Sequence, residues 1–271
     1  NFKFKDVSGL IPLIAFNKNG YQRIIELSSK SYLENDSLSE PHCNFEDLLV
    51  DNEGIILFSG AINGLIGKLF NKRRLNDIDE IYKKINSIYK ENFYIEIQRH
   101  GDQNEKYFEN FNLNKSKKLQ IPIIATNEVF YLDKEMHEAH DALTCIGSKT
   151  YVNEKNRIKL SGEHYFKSNQ EMSELFLDLP EALENNYNFP FRCNFRPLPS
   201  KPILPNISSG RGINADDLLK KNADEGLSDR FFKIFKINTN EIDQNDKYKE
   251  YKIRLNHEIN IIQEMNYSSY F

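Results

Sequence analysis

The chain has 271 residues, of which 39% are hydrophobic and 28% charged, and its formal net charge is −4. This composition excludes a disordered polypeptide and fits one large or two modest globular domains. The slightly negative net charge gives no support for binding nucleic acid over the whole surface. A DNA-binding site would therefore lie in a local basic patch or elsewhere in the protein. We find no signal peptide and no apolar run of membrane-spanning length.

The three cysteines, Cys43, Cys145 and Cys193, lie far apart and form no CxxC pair. This spacing argues against a disulfide framework and against a structural zinc site, and it is typical of a reducing compartment. We therefore expect a cytoplasmic protein without a membrane partner. Because position 1 is not Met and the sequence stops inside an apolar step at 270–271, we interpret the chain as a piece of a longer polypeptide.

An apolar strand, a polar tip and a helix follow one another four times along the chain. Strands are predicted at 10–16, 54–58, 93–97 and 122–126. The clearest helical stripe between them consists of Ile78, Ile81, Tyr82, Ile85 and Tyr89. This alternation predicts an α/β fold with a largely parallel sheet or barrel, whose polar tips share the carboxyl edge.

The last of these units ends in a helix that begins after Asp133, a predicted N-cap. Gly147 is the predicted residue just past its C-terminus. The positions that recur on one face, and that indicate a stripe facing the core, are Met136, His140, Leu143 and Ile146.

The alternation of strand, polar tip and helix ends after this helix. Residues 168–171 form a capping box, and 179–181 open another short helix. Five prolines between 190 and 205 indicate a boundary or an extended linker. The tail is predicted to be helical at 215–227 and again along a stripe of Tyr248, Tyr251, Leu255, Ile259 and Ile262.

Two sets of residues have the composition of a metal site. His137, His140 and Asp141 lie at i, i+3 and i+4 of the predicted helix, one residue short of the HExxH pattern, and a hydrogen-bonded core histidine is the alternative for His140. Glu96, His100 and Glu128 lie at or just past strand ends and could converge on one divalent ion, or they could simply cap those ends.

Other polar runs have plainer interpretations. Ser59-Gly60 and the run 208–212 are similar to phosphate loops but lack the GxxxxGK[ST] arrangement, which favours ordinary turns. Arg157, Lys159 and Lys167 add local positive charge and are interpreted as a solvated face.

Longer motifs match a known family, in the right order and over essentially the whole chain. The sequence resembles the alpha subunit of bacterial DNA polymerase III at IEIQRHG (95–101), TNEVFYL (126–132), EAHDALTCI (138–146), NRIKLSGEHYFKSNQEM (156–172), LFLDLPEALENN (175–186), ADDLLKKNADEGLSDR (215–230) and RLNHEINIIQEMNYSSYF (254–271). The resemblance implies a PHP (polymerase and histidinol phosphatase) domain at 1–189, a Pro-rich linker at 190–213 and the helical start of the polymerase core at 214–271. The implied fold is a PHP-type distorted (β/α)7 barrel that lacks its first strands here.

The resemblance also identifies positions that hold a metal cluster, and support 3′–5′ exonuclease activity, in family members with an intact site. The family pattern HLTLLAKNETGY matches 10–21, so Leu10 replaces a histidine. The SGC pattern places Ala61 at a cysteine position, and the NDxH pattern places Glu128 at an aspartate and Phe130 at a histidine. Leucine, alanine and phenylalanine have no lone pair for a metal.

We therefore expect a degenerate PHP scaffold, with Glu128 and His100 as the remaining candidate metal ligands and no cofactor held by this segment. The alternatives are an active metal-dependent PHP exonuclease or phosphoesterase, and a free-standing binding protein. In the family the full-length protein is a Mg²⁺-dependent DNA polymerase whose catalytic carboxylates would lie beyond Phe271. The implied partners are a proofreading exonuclease subunit, together with DNA, the sliding clamp and the clamp loader through the rest of the chain.

Overall fold

A computed structural model describes residues 1–36, 39–199, 201, 214–236 and 244–271. They form two compact units, Asn1–Arg196 and Pro197–Phe271. The run 208–212 and positions 200 and 202–213 of the predicted linker lie outside the described residues. Within the described ranges, no helix combines the length and the apolar character needed to cross a bilayer.

The first unit has a mixed α/β composition, in agreement with the alternation of the sequence. Its strands are β1 (Phe2–Phe4), β2 (Val7–Gly9), β3 (Leu13–Ala15), β4 (Cys43–Asn44), β5 (Ile55–Phe58), β6 (Phe93–Ile97) and β7 (Ile123–Ala125). Its helices are α1 (Lys18–Leu33), α2 (Leu65–Asn71), α3 (Leu75–Tyr89), α4 (Glu105–Leu119), α5 (His137–Ser148), α6 (Asn169–Leu175) and α7 (Pro180–Asn188). Short 3₁₀ turns lie at Phe45–Leu49, Lys90–Asn92, Lys134–Met136 and Phe189–Arg192.

The strands form two sheets with the orders β2–β1–β4 and β3–β5–β6–β7. Strands β5, β6 and β7 run parallel, as the sequence predicted, with Leu57 opposite Phe93 and Ile95 opposite Ile123. Strand β3 is antiparallel to β5. The sequence did not predict the short strands β1 and β2, which consist of three residues each.

The core lies on both sides of the parallel strands. Every residue of β5, β6 and β7 is buried, which explains why these strands are continuous apolar runs instead of alternating ones. The stripe predicted on α3 is buried along its whole length. Burying a large apolar side chain contributes about 1.5–3 kcal/mol, so this face accounts for much of the stability of the unit.

At the start of helix α1, two glycines allow close contact with the turn before β5. A Cβ on Gly20 would lie 1.9 Å from the carbonyl oxygen of Gly54, and Gly54 itself has a φ of +81°. The Asn17 side chain caps the helix by accepting a hydrogen bond from the Gly20 N–H at 3.0 Å. Residues 19–20 lie in the first turn of α1.

Helix α7 covers the outer edge of β7 with two consecutive asparagines. The side-chain amide of Asn185 donates to the carbonyl of Ile123 at 2.7 Å, and that of Asn186 donates to the carbonyl of Ala125. These bonds satisfy acceptors that the strand would otherwise leave buried without a partner. The helix thus takes the place of a further strand on this edge.

The second unit contains two helices, α8 (Ala215–Phe235) and α9 (Asp246–Glu264). They pack through Phe231, whose ring meets that of Tyr248 edge-on at 5.2 Å. Asn214 and Asn245 cap their N-termini. On the predicted tail stripe, Tyr248 and Ile259 are buried whereas Tyr251 is 49% exposed.

Replacing Asn185 by alanine is expected to destabilise the first unit by about 1–3 kcal/mol, because the Ile123 carbonyl loses its donor. Glu184→Ala, at an exposed position on the same helix, is the matched control and should change the free energy of unfolding by less than about 0.5 kcal/mol. Chemical denaturation of the two variants measures the difference. Equal stabilities would show that the amide does not support the strand edge.

Candidate functional site

The carboxyl ends of β5, β6 and β7 bring three polar tips together, as the sequence predicted. Ser59 follows β5 and is fully buried, and its hydroxyl accepts a hydrogen bond from the backbone N–H of Glu96 at 2.9 Å. The same hydroxyl donates to the Gly60 carbonyl at 3.2 Å. Ser59 is therefore engaged with its own backbone and with the neighbouring strand.

Glu96 points into this edge from the buried strand β6. Its Oε1 accepts hydrogen bonds from the side-chain amide of Gln98, at 3.0 Å, and from the hydroxyl of Thr126. Its Oε2 is buried and has no hydrogen-bond partner among the described residues. Burial raises the pKa of Glu96, which favours the protonated, neutral carboxyl.

Two histidines stack face to face beside these tips. His100 follows β6, and His164 comes from the segment after α5, far along the chain. Their ring centroids are 4.0 Å apart with an interplanar angle of 3°, and both side chains are almost completely buried. The sequence predicted a role for His100 but did not single out His164, because no local pattern links residues 64 positions apart.

The backbone at Glu128 holds both rings. His164 donates from Nδ1 to the Glu128 carbonyl at 3.1 Å, so its Nε2 carries the lone pair, which is buried and has no partner in the part of the chain that the structure describes. The Nε2 of His100 lies 3.2 Å from the Glu128 N–H and 2.9 Å from Oδ1 of Asn127. His100 thus contacts the backbone of Glu128, and the carboxylate itself is half-exposed.

Burial and neighbouring charge set the protonation of this cluster. Burial, reinforced by His100, lowers the pKa of His164 and favours its neutral form. Burial alone would raise the pKa of Glu105, but hydrogen bonds from the side chain and backbone of His100 and from the Gly101 N–H hold it below its usual value. Glu105 thereby anchors the loop that carries His100 to the start of α4.

These residues do not fit the metal cluster that the family resemblance implies. A metal bonded to imidazole lies in the ring plane at roughly 2.0–2.1 Å, so two parallel stacked rings cannot direct their lone pairs to one ion. The Glu128 carboxylate is 4.0 Å from a His164 nitrogen that already donates elsewhere. Across the described ranges, no three His, Cys, Asp or Glu side chains are grouped to hold a metal ion.

The remaining family positions carry side chains without metal-ligand atoms. Leu10 is 58% exposed and Phe130 is 46% exposed, whereas Ala61 is half-buried. The Phe130 ring lies 5.4 Å from that of His164. This side of the cluster is therefore apolar where a ligand-bearing side chain is expected from the family pattern.

The other predicted histidine set does not converge. His137 lies 3.0 Å from the carbonyl of Leu160, and Asp141 accepts a two-pronged ion pair from Arg157 at 2.5 and 2.7 Å. His140 is half-buried against the ring of Tyr131. Each side chain has its own partner, which favours the structural interpretation of this set.

The interpretation of Arg157 and Lys167 as a solvated face was wrong. The Arg157 side chain is only 5% exposed because it pairs with Asp141. Lys167 is buried, donates to the Glu163 carbonyl and lies 4.2 Å from the centre of the Tyr165 ring. Long basic side chains can bury their stems, so composition alone overestimated their exposure.

Arg99 lies in the polar stretch after β6, and the sequence alone did not indicate its structural role. It pairs with Glu109 and Asp178 and lies 4.8 Å over the ring of Phe176. These contacts tie the loop before His100 to α4 and to the segment after α6. Two of these partners, Asp178 and Phe176, lie far along the chain, so spacing could not reveal them.

Comparison with known proteins gives the class of this fold. Residues 5–100 match the family model described as PHP domain, and this range includes β2 to β6 and His100. The part of the mixed α/β unit from β2 to His100 is therefore similar to a PHP domain.

Over almost its whole length the chain is similar to bacterial DNA polymerase III alpha subunits. It is 38% identical over 262 residues to the DNA polymerase III subunit alpha of Rickettsia prowazekii, with 96% of this chain and 22% of that protein covered. The corresponding protein of Caulobacter vibrioides is 33% identical over 259 residues, covering 96% and 22%. That of Vibrio cholerae is 30% identical over 270 residues, covering 99% and 23%. The chain thus spans about a fifth of the length of these relatives.

The free energy of unfolding of the first unit is expected to fall as the pH is lowered from 7.5 to 5.5. His164 has a lowered pKa in the folded state, so below its ordinary value of about 6.5 the unfolded chain takes up the proton first, and stability is lost by at most about 1.4 kcal/mol per pH unit. Glu96 has the opposite effect: because burial raises its pKa, the folded state takes up the proton first, and this increases the free energy of unfolding as the pH falls. Denaturation across this range should show a smaller loss in His164→Gln than in the native chain.

His42→Gln removes an imidazole from the outside of the same unit and is the control for that experiment. It should retain the full pH dependence. If the native chain and His164→Gln lose stability in parallel as the pH falls, the buried imidazole is not the source of the effect.

Proposed function

We propose that this chain is part of a replicative DNA polymerase III alpha subunit, and that the full-length protein carries out template-directed DNA synthesis. The proposal is supported by 30–38% identity to such subunits along almost the whole chain. The catalytic carboxylates and their Mg²⁺ ions would be supplied by parts of the polypeptide beyond Phe271. The segment itself then contributes no catalytic residue.

Within that protein, the proposed architecture is a PHP-type distorted (β/α)7 barrel at 1–189, N-terminally truncated here, with a linker at 190–213 and the start of the polymerase core at 214–271. The parallel ladder of β5, β6 and β7 supports a barrel wall. Strand β3 lies at the edge of its sheet and, among the described residues, pairs only with β5. The main-chain groups on its other side are available to a further strand, which supports the proposed barrel.

The proposed role of this domain is that of a degenerate scaffold that supports the polymerase core and binds a proofreading exonuclease subunit. One observation carries the proposal: the two buried histidines stack in parallel and hydrogen-bond to the protein, while the neighbouring family positions carry Leu10 and Phe130. In this role the two histidines stabilise the fold instead of binding a metal, and the domain carries out no hydrolysis. Contacts with DNA, the sliding clamp and the clamp loader are assigned to the rest of the polypeptide, in the cytoplasm.

The full-length polypeptide is expected to extend a primed template in the presence of Mg²⁺, whereas residues 1–271 alone should not, because the segment contains no proposed polymerase carboxylate. Primer extension with both proteins, at equal concentration, measures this. Failure of the full-length polypeptide to incorporate nucleotides would contradict the assignment.

The same full-length polypeptide, free of any exonuclease subunit, is expected to release no nucleotides from a 3′ end when Mg²⁺, Mn²⁺ or Zn²⁺ is added, because the site offers too few aligned donors. Gel analysis of a labelled single strand measures the release. Release that chelator abolishes, and that Glu128→Gln removes while the exposed control Glu135→Gln retains it, would establish the alternative of an active PHP nuclease.

A further inference from the structure

A small cavity lies behind the carboxyl ends of β5 and β6, against α4. Its volume is about 10 Å³, measured as the space open to the centre of a water molecule. Ala61, Ile62 and Phe108 contribute apolar surface to it, whereas Glu96 and Asn112 line it with polar groups. On this measure a single water molecule needs roughly 10–15 Å³, so the cavity has room for one water molecule and for no larger ligand.

Asn112 brings a hydrogen-bond donor to this cavity from the inner face of α4. The residue is 0% exposed, and its Oδ1 accepts a hydrogen bond from the hydroxyl of Tyr82 at 2.8 Å. That bond fixes the orientation of the amide and leaves its other group, Nδ2, without a partner among the described residues. A buried N–H group without an acceptor destabilises a fold, so this amide requires a partner that the described residues do not provide.

Glu96 brings a second unpartnered group to the same cavity from β6. The residue is 5% exposed, and its Oε1 takes both of the hydrogen bonds that Gln98 and Thr126 donate. Its Oε2 has no partner in the part of the chain that the structure describes. Two unpartnered polar atoms, from two different elements, therefore line one cavity of the size of a water molecule.

The other polar side chains that line the cavity already have partners. Gln98 donates to Glu96 at 3.0 Å, and Glu109 binds the guanidinium of Arg99 at 2.6 and 3.0 Å. Glu105 accepts hydrogen bonds from backbone N–H groups of the loop after β6. Among the described side chains that line the cavity, the unmet hydrogen-bonding capacity thus belongs to Glu96 and Asn112.

We propose that this cavity is the binding site of one internal water molecule, which bridges Nδ2 of Asn112 and Oε2 of Glu96. The water accepts a hydrogen bond from the amide, and it pairs with Oε2 whether that carboxyl is ionised and accepts or is protonated and donates. Internal waters typically bind to buried polar groups that have no other partner. A cation suits the site less well, because the N–H group of Asn112 would face its positive charge.

The bridge completes a chain of hydrogen bonds across the apolar core. The chain runs from Tyr82 on α3 to Asn112 on α4, through the water to Glu96 on β6, and on to Thr126 just past β7. A fully paired polar network of this kind holds its members in one arrangement. The water therefore links two covering helices to the strand ends that carry the candidate site, and this inference does not depend on the proposed function.

The test is a crystal structure of the full-length polypeptide at a resolution that shows ordered water. We expect one peak of density in the cavity, at about 2.7–3.2 Å from both Nδ2 of Asn112 and Oε2 of Glu96. A map without a peak there, or a direct hydrogen bond between the two side chains, would overturn the proposal. Crystals soaked in rubidium chloride provide a further check, since an anomalous signal at the peak would identify a monovalent cation site instead of a water site.

A pair of variants tests the role of the amide. Asn112→Leu removes the donor at a similar side-chain volume, so its crystal structure should lack the peak. Asn110→Leu, at an exposed position on the same helix, is the matched control and should retain it. A peak that persists in Asn112→Leu would show that the amide does not hold the water, and would contradict the proposed bridge. Should Asn112→Leu fail to fold, the map of the native polypeptide decides the proposal by itself.

Discussion

The parallel pairing of β5, β6 and β7 is the constraint on which the first unit depends. Parallel strands must be joined by crossover connections, and here the helices α2, α3 and α4 lie between them in the chain and cover the sheet. Because both faces are buried, the strands are almost entirely apolar, and the one charged residue in them, Glu96, lies next to the carboxyl end of β6. The same constraint puts the residues after the three strands at one edge, which is where Ser59, His100 and Asn127 meet.

At that edge the polar side chains are bound to neighbouring groups of the protein. The backbone of Glu128 holds two stacked imidazoles, and Glu105 and Arg99 hold the loop that carries one of them. Buried polar groups in such a network stabilise a single arrangement when they are paired. The unpaired Nε2 of His164 and Oε2 of Glu96 are the exceptions, and burial favours the neutral form of both residues.

The sequence predicted helices and strands accurately where the apolar residues were periodic or where a helix-capping motif was present. Strand β6 was predicted at 93–97 and begins and ends at those residues, and the capping box at 168–171 opens α6 as expected. Strand β3 is shorter than predicted, because the Leu10 carbonyl binds the N–H of Leu65 instead of continuing the ladder. Gly147, predicted to lie just past the C-terminus of α5, lies within the helix, which ends at Ser148 and is followed by Lys149 in the left-handed conformation.

The sequence by itself determined the α/β class, the order of most strands and helices, and the absence of donor atoms at Leu10, Ala61 and Phe130, because these depend on side-chain chemistry and on short-range periodicity. Only the tertiary structure decided that His164 stacks on His100, since the two residues are brought together by segments distant in sequence. It also decided that the apolar stripe of α5, which the periodicity indicated as facing the core, faces outward. Periodicity reveals that a helix has two faces, but the ion pair between Asp141 and Arg157 determines which face lies inside.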